Sequence, residues 1–319
     1  MDNEAKMTER RGLPVDFLLE AATTPNPGNG EDAYVYALSK GASMAGVFDG
    51  CGGTGARRYK NAGGRTGAYL ASRVVSGATR DWFELGEALA DNASEAAARL
   101  EVRARDYLRM SRAALCEQSA MLGTISKELP TTCAVVIAQG DAVEAELRSF
   151  SAGDSRCYLL DEDGLHQLTA DDLRGYDAME NLHADARLTN VINASERFEI
   201  RVKVVPISRP CVAFAATDGC FGYLPTPMAF EHLLLSTLSE AASPNDWEAR
   251  LRAAFAALAG DDATLCGLSL GFGGFARLKA TMASRLAHVT ERYVEGWAER
   301  SLEDQRALWD EYKSSYYSV

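Results

Sequence analysis

Four short stretches of this chain share one grammar, an apolar run that meets an aspartate beside glycine, serine or alanine. Met44-Ala45-Gly46-Val47-Phe48 ends in Asp49-Gly50-Cys51-Gly52-Gly53, and residues 211–217 end in Asp218-Gly219. Residues 147–153 end in Asp154-Ser155-Arg156, and Gly260-Asp261-Asp262-Ala263-Thr264 opens the strand-like run 265–270. Glu31-Asp32 stands at the head of a further apolar run. A run of this length that breaks at glycine reads as a buried strand handing its last residue to a turn. A carboxylate at that lip is costly to desolvate unless something cationic compensates it. A single Asp-Gly is simply a turn. Several such lips meeting in space would form an oxygen-rich cage for a hard divalent cation, Mg²⁺ or Mn²⁺.

The glycines after Asp49 admit a competing reading. Gly50-x-Gly52-x-x-Gly55, between a strand and a helix, has the form of a dinucleotide-binding fingerprint. Two features count against it. Asp49 would set a carboxylate against the pyrophosphate, and residues 66–79 contain no acid to hold a ribose.

The elements that must position these acids can be read along the chain. Residues 1–12 are a polar leader. Strands are predicted over 15–22 and 33–38, separated by the loop 23–30, with Glu31-Asp32 opening the second. A helix is predicted over 66–75, and residues 81–121 read as helical. There Asp91-Asn92 supplies a cap, and Leu100, Ala104, Tyr107, Leu108 and Leu115 recur at helical spacing. Runs at 132–138, 142–151, 156–160 and 165–168 alternate as an antiparallel meander with turns at Gly140-Asp141 and 161–164. Residues 170–198 are polar and irregular. Strands follow at 198–205 and 211–217, then helices within 226–240 and 244–259, punctuated by Pro225 and Pro244.

Strands before and after paired helices, without βαβ alternation, predict an α+β fold: a sandwich of two antiparallel sheets flanked by helix pairs. One domain is expected over 13–274 and a helical extension over 275–319. In that extension Leu278, Met282, Leu286, Val289, Tyr293 and Trp297 step by three or four residues. Ser301-Leu302-Glu303-Asp304 resembles a capping box, with Leu308, Trp309, Tyr312 and Tyr316 on the apolar side of the helix it opens. These stripes suit either packing on the parent domain or a homodimer contact.

Composition sets limits on partners. The 319 residues are 47% hydrophobic and carry a formal charge of −12, which disfavours nucleic acid and anionic membrane as partners. The seven cysteines are scattered, contain no C-x-x-C pair and fall mostly inside apolar runs, as expected of core residues in a reducing compartment. No apolar run approaches the ~18 residues of a membrane span, and the expected location is cytoplasmic.

The ordered set Asp49-Gly50-Cys51-Gly52-Gly53, Gly153-Asp154-Ser155-Arg156, Thr217-Asp218-Gly219 and Asp261-Asp262-Ala263-Thr264 resembles the motifs of the metal-dependent protein phosphatase family, protein phosphatase 2C type. Pro130-Thr131-Thr132 and Leu168-Thr169-Ala170-Asp171 are similar to its intermediate landmarks, and the likeness spans roughly residues 12–272. The resemblance implies a bacterial-like enzyme that hydrolyses phosphoserine or phosphothreonine on proteins, opposing a Ser/Thr kinase, with a water activated by two Mg²⁺ or Mn²⁺ ions. It implies that Asp49 bridges the ions, joined by the Gly50 carbonyl. Asp218 and Asp261 would complete the shell of the first ion, Glu31 and Asp32 would hold or orient waters on the second, and Asp154 would serve a third, weaker ion shared with Asp218.

The chain also departs from the pattern. Pro27 stands where many members place a phosphate-binding Arg, Cys51 where animal members carry a His, and Gly222 at a site that is commonly Asp. Arg57, Arg58 and Arg65 are candidates for the phosphate contact, and His183, in what would be the flap beside the cleft, for the proton donor. The departures leave two alternatives open: a pseudophosphatase that binds without turnover, and a phosphatase for a small metabolite.

Overall fold

The computed structural model describes residues 15–115, 128–140, 145–173, 177–182, 187–258 and 260–319. Twelve strands and eight helices are assigned among them. Strands β1 (Val15–Thr23), β2 (Ala33–Ser39) and β3 (Ala42–Phe48) come first, followed by the one-turn helix α1 (Gly52–Gly55). A two-residue ribbon, β4 (Arg58–Tyr59) with β5 (Arg65–Thr66), leads into α2 (Gly67–Glu84) and α3 (Ala93–Ala114). Next are β6 (Cys133–Gly140), β7 (Ala145–Ala152), β8 (Arg156–Asp161), β9 (Gly164–Gln167) and the short α4 (Ala178–Leu182). The chain continues through β10 (Arg201–Pro206), β11 (Cys211–Ala216), α5 (Pro227–Glu240), α6 (Pro244–Leu258), β12 (Ala263–Leu270), α7 (Phe275–Val289) and α8 (Leu302–Tyr316).

The large strands form two five-stranded sheets, ordered β1-β12-β11-β8-β9 and β10-β7-β6-β3-β2. Every ladder is antiparallel, so the predicted α+β sandwich is the observed one. Ala45, Val47, Ala134, Val136, Leu159, Ala213, Ala215 and Leu268 pack between the sheets. The other face of the second sheet (Met44, Phe48, Val135, Ile137, Phe150) lies under α2 and α3. The other face of the first (Leu19, Tyr158, Phe214, Leu265) lies under α5 to α8. Central strands are thus buried on both faces, which is why β3 and β11 read as continuous apolar runs.

Local chemistry sets the helix limits. Thr66 caps α2 by accepting the Tyr69 amide, and Asn92 caps α3 by accepting those of Ser94 and Glu95. Helix α2 runs on to Glu84, beyond the predicted 66–75, because Ala78, Trp82 and Phe83 keep its inner face apolar. Trp82 meets Phe150 edge-on at 5.0 Å. The region 170–198 contains α4 and a bridge from Ile192 to Thr131.

Helices α7 and α8 share the core of the first sheet. Trp309, Tyr312 and Tyr316 are 6%, 1% and 0% exposed. Glu231, on α5 and fully buried, accepts Arg285 Nε at 2.7 Å, Arg285 Nη2 at 2.9 Å and the Tyr312 hydroxyl at 2.7 Å. That triad ties α5, α7 and α8 together. The apolar stripe of α8 is therefore covered by its own chain.

Candidate metal centre

All the acidic lips open at one end of the sandwich. Asp49 follows β3, Asp218 follows β11, Asp154 sits in the β7–β8 turn, Asp261-Asp262 precedes β12 and Glu31-Asp32 precedes β2. The Thr131-Thr132 pair fixes Asp49. Its amide donates to Thr132 Oγ1 at 3.0 Å, and its carbonyl accepts from Thr132 N at 2.8 Å and Thr131 Oγ1 at 2.7 Å. Thr132 Oγ1 also meets Ser155 Oγ at 2.6 Å, which anchors the Asp154 turn to the same point.

A second hydroxyl organises the opposite side. Thr217 Oγ1 accepts the Thr264 amide at 2.9 Å and donates to Asp32 Oδ2 at 2.8 Å. Asp262 Oδ2 takes the amide of Glu31 and, at 3.4 Å, that of Asp32. The two acids at 261 and 262 thus divide their work: Asp262 is buried and holds backbone, while Asp261 is exposed. The turn after Asp218 requires glycine, because a Cβ at Gly219 would lie 1.9 Å from the Asp262 carbonyl oxygen. At Gly222 a Cβ would come within 2.9 Å of the Asp218 carbonyl oxygen, so the commoner Asp would have to shift the turn.

Electrostatics bind the acids into one group. Burial, and then the charges of Asp218, Asp32, Asp154 and Asp261, hold the Asp49 carboxyl well above the usual carboxylate range. Burial together with Asp262 and Asp218 raises Asp32 to about 7, and burial with Asp218 and Asp171 raises Asp154 to about 7. Asp218 rises to about 6 through burial and Asp261, and Glu31 is raised by burial and by Asp262 and Asp261. Like charges crowded at a poorly solvated lip produce this pattern.

Asp154 Oδ1 is buried and has no hydrogen-bond partner. Among the described residues no ion pair neutralises Asp32, Asp49, Asp154, Asp218 or Asp261, and no three acid, His or Cys side chains already stand together as a closed ligand set. An all-oxygen donor set with an orphaned carboxylate oxygen fits Mg²⁺ or Mn²⁺ in its chemistry.

A cleft of about 330 Å³ adjoins the acids, lined by Glu31, Asp261, Asp262, Arg58, Arg65 and Tyr69 among others. Arg58 donates to the Gly64 carbonyl at 3.0 Å. Arg65 bonds Asn29 Oδ1 at 3.0 Å and lies 4.4 Å over the Tyr69 ring. Arg57 stacks over Tyr59 at 4.9 Å and is not in that lining. His183 lies outside the described residues. The Gly50-x-Gly52-x-x-Gly55 run forms only a single turn of helix, with Gly50 bridged to Thr131.

Sequence reasoning missed two cations near the acids. Arg73 donates to the carbonyls of Gly30 at 2.9 Å and Glu31 at 3.0 Å and lies 3.6 Å over Tyr69. Arg156 forms a buried bidentate pair with Asp171 at 2.8 and 2.6 Å. The Gly-Asp-Ser-Arg motif contained a signal for Arg156; Arg73 is one basic residue in a helix and had none.

A family model for protein phosphatase 2C matches residues 28–256. The serine/threonine phosphatase Stp1 from Staphylococcus aureus superposes at TM-score 0.59 with 16% identity, covering 82% of this chain and 97% of that one. The catalytic domain of serine/threonine protein phosphatase PstP, in complex with two manganese ions, gives 0.50 and 17%, covering 79% and 98%. A sex-determining protein of C. elegans gives 0.62 and 14%, covering 85% and 67%. At these identities the likeness is one of fold. No curated protein matches the sequence.

Proposed function

The chain belongs to the protein phosphatase 2C family, and on that footing we propose that it hydrolyses phosphoserine and phosphothreonine on proteins with two Mg²⁺ or Mn²⁺ ions. The observation that carries this reading is the set of carboxylates gathered at one end of the sandwich without an ion-pair partner among the described residues, each pushed up first by burial and then by its acidic neighbours. When bound, such ions supply a nucleophilic water at neutral pH and neutralise charge in an in-line displacement at phosphorus.

The chain's own residues have separable tasks. Asp49, with the Gly50 carbonyl, would serve both ions; Asp218 and Asp261 would hold the first, and Glu31 and Asp32 would hold waters on the second. Asp154, with its orphaned oxygen, suits a third and weaker ion. Thr217, Thr132 and Asp262 hold these groups in place. Arg58 and Arg65 line the cleft and would meet phosphate oxygens, taking the place of the Arg that Pro27 replaces. His183 is the proton donor proposed from the sequence.

A thiol nucleophile has no support in the buried cysteines. Burial pushes Cys133, Cys211 and Cys266 up to about 12 and raises Cys157 and Cys220 as well. Free cysteines suit a reducing, cytoplasmic setting where a Ser/Thr kinase would be opposed. No helix among the described residues is long and apolar enough to cross a membrane.

A second reading rests on Pro27 and on the crowding at Gly222: a pseudophosphatase that keeps the metal and lacks turnover, or an enzyme for a small phosphorylated metabolite. Initial rates with a phosphothreonine peptide and p-nitrophenyl phosphate, with Mn²⁺ and with chelator, separate the cases. Metal-dependent turnover of the peptide that Asp49→Asn abolishes supports the phosphatase. Metal binding without turnover overturns it, and turnover of the small ester alone restricts the substrate.

A further inference from the structure

A line of polar contacts runs from α8, which lies outside the residues that match the family model, to the buried Asp171–Arg156 pair. Asp177, just before α4, uses both carboxylate oxygens. Oδ1 accepts the Met179 amide at 2.9 Å, and Oδ2 accepts Trp309 Nε1 at 3.0 Å and Lys313 Nζ. The Ala178 amide donates to the Tyr317 hydroxyl at 2.9 Å. Helix α4 is only five residues long and is marginal without outside support.

At its other end, Asn181 Nδ2 donates to Asp171 Oδ2 at 2.8 Å, the oxygen that Arg156 Nη2 also holds. The Arg156 and Asp171 side chains are 3% and 2% exposed. The Arg156 guanidinium lies 4.3 Å over Phe221, beside the Asp218 turn, and its charge acts on both Asp154 and Asp218. A cavity of about 440 Å³ separates these parts, lined by Gln167, Asp171, Asn181, Lys313 and Tyr317 among others. Hydrogen bonds at the rim of that gap add to the packing of Ala178, Met179 and Leu182 on the core that α8 shares.

We propose that α8 is a positioning element for the metal centre: through Asp177 and Asn181 it sets the Asp171–Arg156 pair, and with it the buried guanidinium beside Asp154 and Asp218. Asp177 and Asn181 are positioning residues and touch neither metal nor substrate. The metal half of the inference rests on the phosphatase reading above; the mechanical half does not.

The test uses the full chain and four proteins: wild type, Asp177→Ala, Asn181→Leu and the double variant. Amide exchange reads the mechanical link, and Mn²⁺ calorimetry reads the centre. Asp177→Ala should speed exchange in α4 about tenfold while the sheet amides stay protected. Each single variant should weaken Mn²⁺ binding about tenfold, the size expected for groups that orient ligands. The double variant should be no worse than the weaker single, because both cut one line, and Asp177→Glu should recover most of the loss.

Unchanged α4 exchange in Asp177→Ala, unchanged Mn²⁺ affinity despite faster exchange, or additive losses in the double variant would each overturn the proposal while leaving the phosphatase reading intact. A wild-type chain that binds no Mn²⁺ overturns both.

Discussion

Two groups of acids in this molecule have opposite surroundings. Beneath α8, each is answered by a donor: Glu231 by Arg285 and Tyr312, Asp161 by His166 at 3.2 Å, and Asp177 by Lys313 and Trp309. Burial pushes the Asp161 and Asp177 carboxyls up, yet those donors outweigh it and leave both below the ordinary range. At the open end of the sandwich, Asp32, Asp49, Asp154 and Asp218 meet chiefly one another, and all are raised. Buried acids that are paired hold the fold. On the reading proposed above, half-buried acids that repel each other would be kept for a cation.

Breaking a paired acid should have the largest effect. Glu231→Ala strands Arg285 in the core and should cost about 3–5 kcal/mol of stability, read by urea denaturation. The folded fraction should keep its metal affinity.

The unpaired group should respond to metal instead. At Mn²⁺ a hundredfold above its Kd, the wild type should gain about 2.7 kcal/mol, and Asp218→Asn should gain almost none. The pH dependence sharpens this contrast. In chelator, Asp218 keeps its proton to about 6 and Asp32 and Asp154 to about 7, whereas the unfolded chain releases such protons near 3.8. The folded state then binds more protons, so stability falls as pH rises from about 4 to about 7. Saturating Mn²⁺ should remove that fall, and a metal-independent profile would break the comparison.

A middle-sized effect should come from Thr217→Val, which removes the hydroxyl that orients Asp32 while keeping its shape. Mn²⁺ affinity should drop about 10- to 100-fold by calorimetry with little change in melting temperature.

The smallest effect belongs to the paired side. Burial alone would lower His166, but Asp161 and the Ser315 carbonyl, which it meets at 2.7 Å, raise it above 6.5. Its stabilisation, about 1 kcal/mol, should be full below pH 6.5 and vanish as pH rises through the folded value. The difference between wild type and His166→Gln on denaturation should follow that course.

Much of this arrangement was legible in the sequence. Apolar runs broken at Asp49, Asp154 and Asp218 gave the strand ends, because doubly buried strands cannot alternate, and Asn92 and Ser301 marked helix starts through their caps. Less could be read where a role depends on direction. Asp261 and Asp262 are adjacent and alike, and only the fold decides that Asp262 holds the Glu31 and Asp32 amides. The stripe of Trp309, Tyr312 and Tyr316 announced a covered face without saying what covers it. Arg58 and Arg65 share a composition with Arg57, yet only the first two line the cleft.

The central claim is that the acids at the ends of β3 and β11 and at the start of β12 chelate a divalent pair. Anomalous diffraction at the manganese edge, from crystals grown in Mn²⁺, tests it most directly. The account predicts two strong peaks beside the Asp49 carboxylate, with Asp218 and Asp261 turned toward one and the Glu31-Asp32 segment toward the other. Peaks elsewhere, or none with those side chains directed apart, would contradict it.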